Sequence, residues 1–389
     1  MNRLDPRLSS LQHYVRDQAP ALRAAALQLD AHPDGSTLYP QVPLLDRLAT
    51  LQIPRPYAPD PLVIEGEEYY LLSAVERVIF HEEAAAHGDA ALLLSAPGSL
   101  TAGMLVAALG DDTQQSMFFN RLREQPTWTF LAMTEPQGGS DAAALRTTLC
   151  PSPGGDGQLL NGSKCFIGNA HRSPLGVVTA RTGPGPLGIR CLIVDTSHPG
   201  CSAGPIATLG MRGALGTLDF QDVPVPEEHL LGRHLSPTRR GMWGWLHSFN
   251  PLRCVAAAMG VGLARAAHAY ALEHAPHHHS ALRHSLDALG TRIRGVQSLT
   301  RSAAHAVDAD PTNAHLPSAA KTAAARLAVE ATSTVLRLLG PGARLEHPLL
   351  DKWARDAFGI ECMEGTSHIQ AMAVFNALTR TGITLPRTS

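Results

Sequence analysis

The chain is poor in lysine and in aromatic residues, and its cysteines are not paired. Lysine occurs only at positions 164, 321 and 352, the other basic residues being arginine. That bias reads as composition rather than mechanism. Aromatics make up 5% of the 389 residues, too few for an aromatic-rich β protein. The six cysteines, at 150, 165, 191, 201, 254 and 362, form no C-x-x-C pair and show no metal-ligand spacing. Neither a disulfide framework nor a zinc module is expected, and a reduced cytoplasmic protein is the simplest account. The N-terminus, Met1-Asn2-Arg3-Leu4-Asp5-Pro6, lacks an apolar signal core, and no run of about 18 apolar residues is read anywhere. Export and membrane spanning are not expected. A net charge of −2 gives no electrostatic reason for a nucleic-acid or membrane-surface partner.

What is present is helical at both ends. Hydrophobic residues reach 44%, with alanine concentrated in the first and last thirds, as in packed helices. Leu11, Tyr14, Val15, Ala19, Leu22, Ala26 and Leu29 recur at helical spacing up to His32-Pro33-Asp34-Gly35. Further helices are expected over 43–51, 67–87, 89–109 and 113–123. Residues 128–240 change character: β-rich runs at 129–133, 158–160, 176–181, 190–195 and 217–223 alternate with Gly/Pro/Ser clusters at 151–157, 183–188 and 199–205. Helices return over 253–274, 281–307 and 318–339 and from about 366. The expected organisation is an α-helical domain over 1–127, a β domain over 128–240 and an α-helical bundle over 241–389.

Glu364 is the candidate base. It precedes Gly365, which lets backbone approach a ligand closely, and it stands at the entrance to a helix whose apolar face is Ile369, Met372, Ala373, Phe375 and Leu378. Ser367 followed by Gln370 fits a capping box. A carboxylate in such a tight apolar turn has its pKa raised by desolvation, toward the range useful for proton abstraction. Arg253, at the start of an alanine-rich helix, is costly there unless it has a partner, so it is read as functional. The Gly138-Gly139-Ser140-Asp141 turn offers free amides and a hydroxyl, as a flavin or pyrophosphate oxygen needs.

Four blocks carry a family resemblance. Thr134-Glu135-Pro136-Gln137-Gly138-Gly139-Ser140-Asp141 resembles the T-E-P-x-x-G-S-D signature of the acyl-CoA dehydrogenase family. Asn161-Gly162-Ser163-Lys164-Cys165-Phe166-Ile167-Gly168-Asn169 is similar to its N-G-x-K-x-[WF]-I-[TSG]-N segment. Gly210-Met211-Arg212 and Asp222-Val223-Pro224-Val225-Pro226 resemble the G-x-R and x-V-x-V-P that close its β domain. Arg355-Asp356-Ala357 and Glu364-Gly365-Thr366-Ser367-His368-Ile369-Gln370 match the C-terminal R-D-A and E-G-T-S-x-I-Q. The resemblance implies an α+β, mostly α fold: an N-terminal helical domain, a central β-barrel-like domain and a C-terminal four-helix bundle. It implies FAD-dependent dehydrogenation of a saturated acyl thioester to an enoyl thioester. Glu364 would remove the α-proton as a β-hydride passes to flavin N5, and the Glu364 N–H would help hold the thioester carbonyl. Arg253 would stand near that base. Flavin contacts would come from Met133, Thr134, Gly139, Ser140, Phe166, Gly168, Arg337, Gly340, Thr366 and Ser367, and substrate contacts from Ser140, Arg253, Met363 and Gly365. The implied partners are an acyl thioester on coenzyme A or on an acyl carrier protein, the latter as in polyketide building-block biosynthesis, an electron-transfer flavoprotein, and further copies of the chain in a dimer or tetramer. Flavin oxidases or monooxygenases of this fold, and a non-catalytic carrier-binding homologue, are the alternatives.

The chain departs from the family pattern in three places. Gly168 stands where relatives carry Thr or Ser, which removes a side-chain hydrogen bond toward flavin N5. Met363 stands where many have Tyr, placing a flexible thioether beside the base. After Tyr270-Ala271-Leu272-Glu273, His274, His277 and His278 replace the arginine, phenylalanine and glycine of R-x-x-F-G. With no carboxylate or cysteine arranged around these histidines, no metal site is expected. Arg283 and Arg337 are the candidates to replace the missing positive charge.

Overall fold

The structure, a computed structural model, describes residues 4–35, 37–58, 60–98, 100–154, 157–241, 248–274 and 280–380. By packing, the chain divides into two compact units. One is helical and gathers Met1–Arg23, Ser73–Ala90 and Phe249–Ser389; the other holds Ala24–Leu72 and Ala91–Ser248 and contains the sheets. The helix Ala74–His87 therefore stands with the C-terminal helices rather than with its neighbours in sequence.

In the helical unit, Phe249–His274 is the central element. It packs on Ala74–His87, Ser280–Ala309 and His315–Leu339, and the last of these carries Pro348–Cys362 and Ser367–Arg380. Small side chains make the close approaches: a Cβ on Gly260 would lie 3.0 Å from the Ala324 carbonyl oxygen, and one on Gly262 would lie 2.6 Å from Ala85 Cβ. Ala74, Val78, Cys254, Ala257, Val261, Ala303 and Ala324 form the shared core. Although it holds no unbroken run of about 18 apolar residues, Phe249–His274 is long and apolar enough on average to cross a bilayer by length and composition. Its residues are mostly buried within the unit, as in a core helix. The helix Ala74–His87 is fixed at its start by Ser73, whose hydroxyl accepts from Glu76 N–H at 3.1 Å, and by Asp308, which accepts from the Ala74 and Val75 amides at 2.7 and 3.0 Å. Farther along, the buried pair Glu82 and Glu83 is held by Arg265 at 2.7 and 2.8 Å, with Arg16 on Glu83 and Arg301 on Glu82.

The other unit contains a seven-stranded sheet. Its strands are β3 (Thr129–Ala132), β4 (Thr148–Pro151), β5 (Gln158–Gly168), β6 (Leu175–Arg181), β7 (Ile189–Asp195), β8 (Cys201–Pro205) and β9 (Leu215–Val225), following a hairpin of β1 (Leu62–Ile64) and β2 (Glu67–Tyr69). The order is β3-β6-β4-β5-β9-β8, with β7 antiparallel to β6. Phe130, Leu149, Leu160, Val178, Leu192, Leu218 and Phe220 share its core.

Several expected boundaries move, each for a local reason. Residues 67–69 are strand because Glu65 and Gly66, at φ 52° and 84°, make a tight hairpin turn; the helix starts only at Ala74. The 89–109 helix is two, Ala90–Leu94 and Leu100–Leu109, parted where Pro97 lacks an amide and Gly98 turns left-handed at φ 139°. The first helical run likewise breaks into Pro6–Arg16 and Ala19–Ala31. Strands β4 and β8 fall within or beside the Gly/Pro clusters; β8 lies at the sheet edge, where proline and glycine are tolerated.

Candidate active site

The turn carrying Glu364 joins two helices. Pro348–Cys362 ends at Met363, which is extended (φ −70°, ψ 143°) with its amide on the Gly359 carbonyl at 3.2 Å. Glu364 and Gly365 then both adopt left-handed backbone, φ 50° and 94°. Glycine is required at 365 twice over: any Cβ there would be strained and would lie 2.8 Å from Gln370 Nε2. The turn's carbonyls are tied down from behind. Gln370 Nε2 donates to Glu364 O at 2.7 Å and to Gly365 O at 3.2 Å, and Lys321 Nζ donates to Glu361 O and Gly365 O, both at 2.7 Å.

The expected capping box does not form. Helix Ser367–Arg380 begins at Ser367 itself, and its first-turn donors find Glu361: Ser367 N–H at 2.7 Å and Oγ–H at 2.6 Å on the two carboxylate oxygens. Gln370, the expected partner in the box, is used on the turn instead. Burial alone would raise the Glu361 pKa; the Ser367 donors, then Lys321, pull it below the ordinary range.

Glu364 retains partial solvent access as a residue. Burial of its carboxyl nevertheless pushes the pKa up to about 7, against the opposing charges of Arg253 and Lys321. Among the described residues no donor bonds its carboxylate and no acceptor takes its amide, so both stand ready for a ligand. Arg253 is 8% exposed; its guanidinium donates to Asn250 Oδ1 at 2.7 Å, while Nε is buried with no partner among the described residues. Burial lowers its pKa and Glu364 raises it, so the two residues feel each other without a direct ion pair. A carboxylate poised near neutrality beside a buried cation is suited to general-base chemistry.

A second group of expected residues is gathered in the other unit. Behind β3, the Met133 carbonyl accepts from Lys164 Nζ at 3.0 Å and the Thr134 carbonyl from Cys165 N–H at 3.0 Å. Glu135 and Gly138 exchange backbone bonds of 3.0 and 3.1 Å, closing the turn. The glycine at 139 is needed for contact: a Cβ there would meet Thr134 Oγ1 at 2.7 Å. Glu135 is buried as the turn's anchor, accepting from Arg146 N–H, Thr147 N–H and Oγ–H, Gln137 and Lys164. Burial would raise its pKa, but the Thr147 donors lead a set that holds it at about 2. On β5, a register shift between Lys164 and Ile167 accompanies Phe166 at φ 57°, and the residue is 56% exposed. At Gly168 a Cβ would meet only Leu94 Cδ1, at 3.6 Å, so the missing hydroxyl leaves open space rather than a filled contact.

These residues fit a flavin. A large side chain left exposed at a strained bulge offers a stacking surface, and the turn tied to that strand through Cys165 and Thr134, whose Gly139 and Ser140 amides have no acceptor among the described residues, offers an anion cradle. Arg337 is exposed, donating to Thr334 Oγ1 at 3.0 Å, and Gly340, at φ 98°, closes its helix with open space where a side chain would be. Thr366 lies between the base turn and Ser367, its carbonyl accepting from Gln370 N–H. Arg283 is exposed. His274 stacks on Tyr270 with ring centroids 3.9 Å apart, Nδ1 lying 3.0 Å from the Tyr270 carbonyl. His277 and His278 lie outside the described residues.

Sequence reasoning passed over Lys321, Glu361, Glu135 and Lys164 as site residues. A signal existed for the lysines, because all three in the chain are fully buried, but it is visible only once burial is known.

A helical unit holding a candidate base at Glu364, and a sheet-bearing unit holding an exposed phenyl ring and an amide-rich turn, are the features of a flavoprotein-type oxidoreductase. Residues 131–223 match the model of the acyl-CoA dehydrogenase middle domain, and 239–379 that of the acyl-CoA dehydrogenase C-terminal domain. The chain is 29% identical over 381 residues to cyclohex-1-ene-1-carbonyl-CoA dehydrogenase of Geobacter metallireducens, covering 94% of this chain and 96% of the relative. It is 30% identical over 314 residues to 3-(aryl)acrylate reductase of Clostridium sporogenes, covering 77% and 81%. Its fold is similar to that of the FAD complex of PigA, with TM-score 0.84, 19% identity and coverage of 98% and 100%. The chain belongs to the acyl-CoA dehydrogenase family.

Proposed function

We propose that this protein is an FAD-dependent dehydrogenase of saturated acyl thioesters, with Glu364 as the base that removes the α-proton. The observation that carries the reading is a carboxyl in a left-handed turn, raised to a pKa of about 7 and bonded by no donor among the described residues. Thr134, Gly139, Ser140 and Phe166 would hold the cofactor from the sheet-bearing unit, with Arg337, Gly340, Thr366 and Ser367 contributing by family resemblance. The FAD complex of a protein of this fold supports that cofactor. When bound, FAD supplies the acceptor for the hydride that leaves the β-carbon.

The protein's own work is to place and tune charge. An α-proton of a thioester is weakly acidic, so the base must be ionised, close and partly dehydrated. Glu364 meets the last condition through its burial, and the first increasingly as pH rises through about 7. Its free amide is available to the thioester carbonyl, where negative charge develops as the proton leaves. Arg253 holds positive charge near the base without neutralising it by contact. Met363 and Gly365 flank the base and border the acyl group; a thioether there adapts to acyl shape better than a ring does.

The carrier is coenzyme A or an acyl carrier protein, the acceptor of the electrons an electron-transfer flavoprotein, and the working form a homodimer or homotetramer. The relative named for cyclohex-1-ene-1-carbonyl-CoA supports an acyl thioester, and the one named as a 3-(aryl)acrylate reductase leaves the direction of electron flow to the acceptor. The test is an anaerobic titration of the purified flavoprotein with butyryl, octanoyl and palmitoyl thioesters on each carrier, following loss of the oxidised flavin's visible absorbance. Glu364→Gln should bind substrate, seen as a perturbed flavin spectrum, without bleaching. Bleaching at the wild-type rate would remove Glu364 as the base.

A further inference from the structure

The left-handed turn at Glu364 is unfavourable for a non-glycine residue and persists only where its surroundings over-determine it. The strongest restraint comes from Lys321, on helix His315–Leu339. Its side chain is fully buried, and its ammonium bonds two carbonyls at 2.7 Å each. The Glu361 carbonyl is one of the last four of its helix, which have no intrahelical partner. The Gly365 carbonyl comes immediately after the two left-handed residues. One ammonium thus bridges the turn from its entry to its exit. Gln370 Nε2 supplies a second, uncharged tie to Glu364 O and Gly365 O. Among the described residues Lys321 makes no direct ion pair. The groups that face it are the carboxylates of Glu361 and Glu364, the Cys362 thiol and the Arg253 guanidinium, with Arg326 lying toward Glu361. A buried ammonium spent on two backbone carbonyls is costly unless those carbonyls must stay where they are.

We propose that Lys321 is a positioning residue for the base: by tying the Glu361 and Gly365 carbonyls together it fixes the turn, and with it the place of the Glu364 carboxylate. The proposal rests on Glu364 being the base. The lysine has a second effect through its charge, because with Arg253 it opposes the burial that raises the Glu364 pKa. The strap and the charge are separable, since Gln370 shares the first role and lacks the second.

The experiment is the anaerobic reductive half-reaction of the flavin-loaded protein with the best acyl-CoA of the panel above, measured as rate against pH for wild type, Lys321→Met, Gln370→Met and Glu364→Gln. Lys321→Met should slow bleaching about tenfold or more at saturating substrate. It should also move the rising limb of the profile to higher pH by about one unit, because the base has lost a stabilising cation. Gln370→Met should slow bleaching with the rising limb unmoved. A wild-type rate and profile in Lys321→Met would overturn the proposal. If Lys321→Met does not accumulate with flavin, Gln370→Met decides: a wild-type rate there overturns the strap, and a slowed rate with an unmoved limb supports it. Bleaching by Glu364→Gln would instead refute the base, a different result from inactivity of Glu364→Gln with unchanged Lys321→Met.

Discussion

Replacing Glu364 by glutamine should stabilise the protein, and only at high pH. Burial lifts the carboxyl from 4.5 to about 7, so ionising it in the folded protein costs more than in the unfolded chain. At roughly 1.4 kcal/mol for each tenfold change in acidity, the cost is at most about 3.5 kcal/mol. Partial solvent access to the residue reduces this to about 1–2 kcal/mol. The sign follows from which state binds the proton. Below about 4.5 the group is protonated in both states and costs nothing; between about 4.5 and 7 the folded state keeps the proton longer, and stability falls as pH rises; above about 7 the whole cost is present. Glutamine mimics the neutral acid at every pH. In urea titrations of flavin-saturated protein, the variant should gain little at about pH 5 and about 1–2 kcal/mol at about pH 8, where its bleaching activity is lost. An equal gain at both pH values would show that the stabilisation has nothing to do with ionisation and would refute a base raised by burial.

Two further substitutions probe the two units separately. Phe166→Ala truncates a residue that is already 56% exposed, so folding should change by less than about 1 kcal/mol while flavin affinity falls by about tenfold or more, as equilibrium dialysis of the cofactor would measure. Arg265→Met strips the shared partner from Glu82 and Glu83, whose side chains are 1% and 0% exposed, and should destabilise the helical unit by about 3 kcal/mol in denaturant melts. The Glu83 pKa is held below the ordinary range against burial by His87 and then Arg265, so stability present at neutral pH is lost as pH falls through that range; in the variant the acid-unfolding midpoint should move to higher pH.

The fold was largely legible because its signals are local. Helical spacing, glycine and proline breaks, and β-rich runs placed most elements to within a few residues, and the E-G-T-S-x-I-Q block put Glu364 beside the glycine that its turn requires. What escaped depends on contacts distant in sequence or on conflicting local signals. Strand β5 runs on to Gly168 because its bulge interrupts the alternation without ending the pairing with β9. Strand β8 is hidden by its own glycine and proline, which an edge position accepts. Ser367 and Gln370 have the spacing of a capping box, but a carboxylate six residues upstream and a turn carbonyl outbid it for their donors. Nothing within a few residues of Lys321 announces that it will reach the base turn 40 residues on.

The scarcity of lysine, which composition alone assigns to bias, acquires a physical meaning from where the three stand. Each is fully buried. Lys164 joins the Glu135 carboxylate and the Met133 carbonyl at the turn that would cradle the cofactor, Lys321 bonds the Glu361 and Gly365 carbonyls on either side of Glu364, and Lys352 lies between Asp89 and Asp356 at 2.7 and 2.6 Å. An ammonium is compact and directs three donors tetrahedrally, so it can link acceptors that approach from different directions in a closed space. A guanidinium is planar and larger, and it suits the many places on this protein where a cation meets a carboxylate edge or water. In a chain that otherwise uses arginine throughout, each lysine links acceptors in a closed space, and two of those three places are the turns on which the proposed chemistry depends.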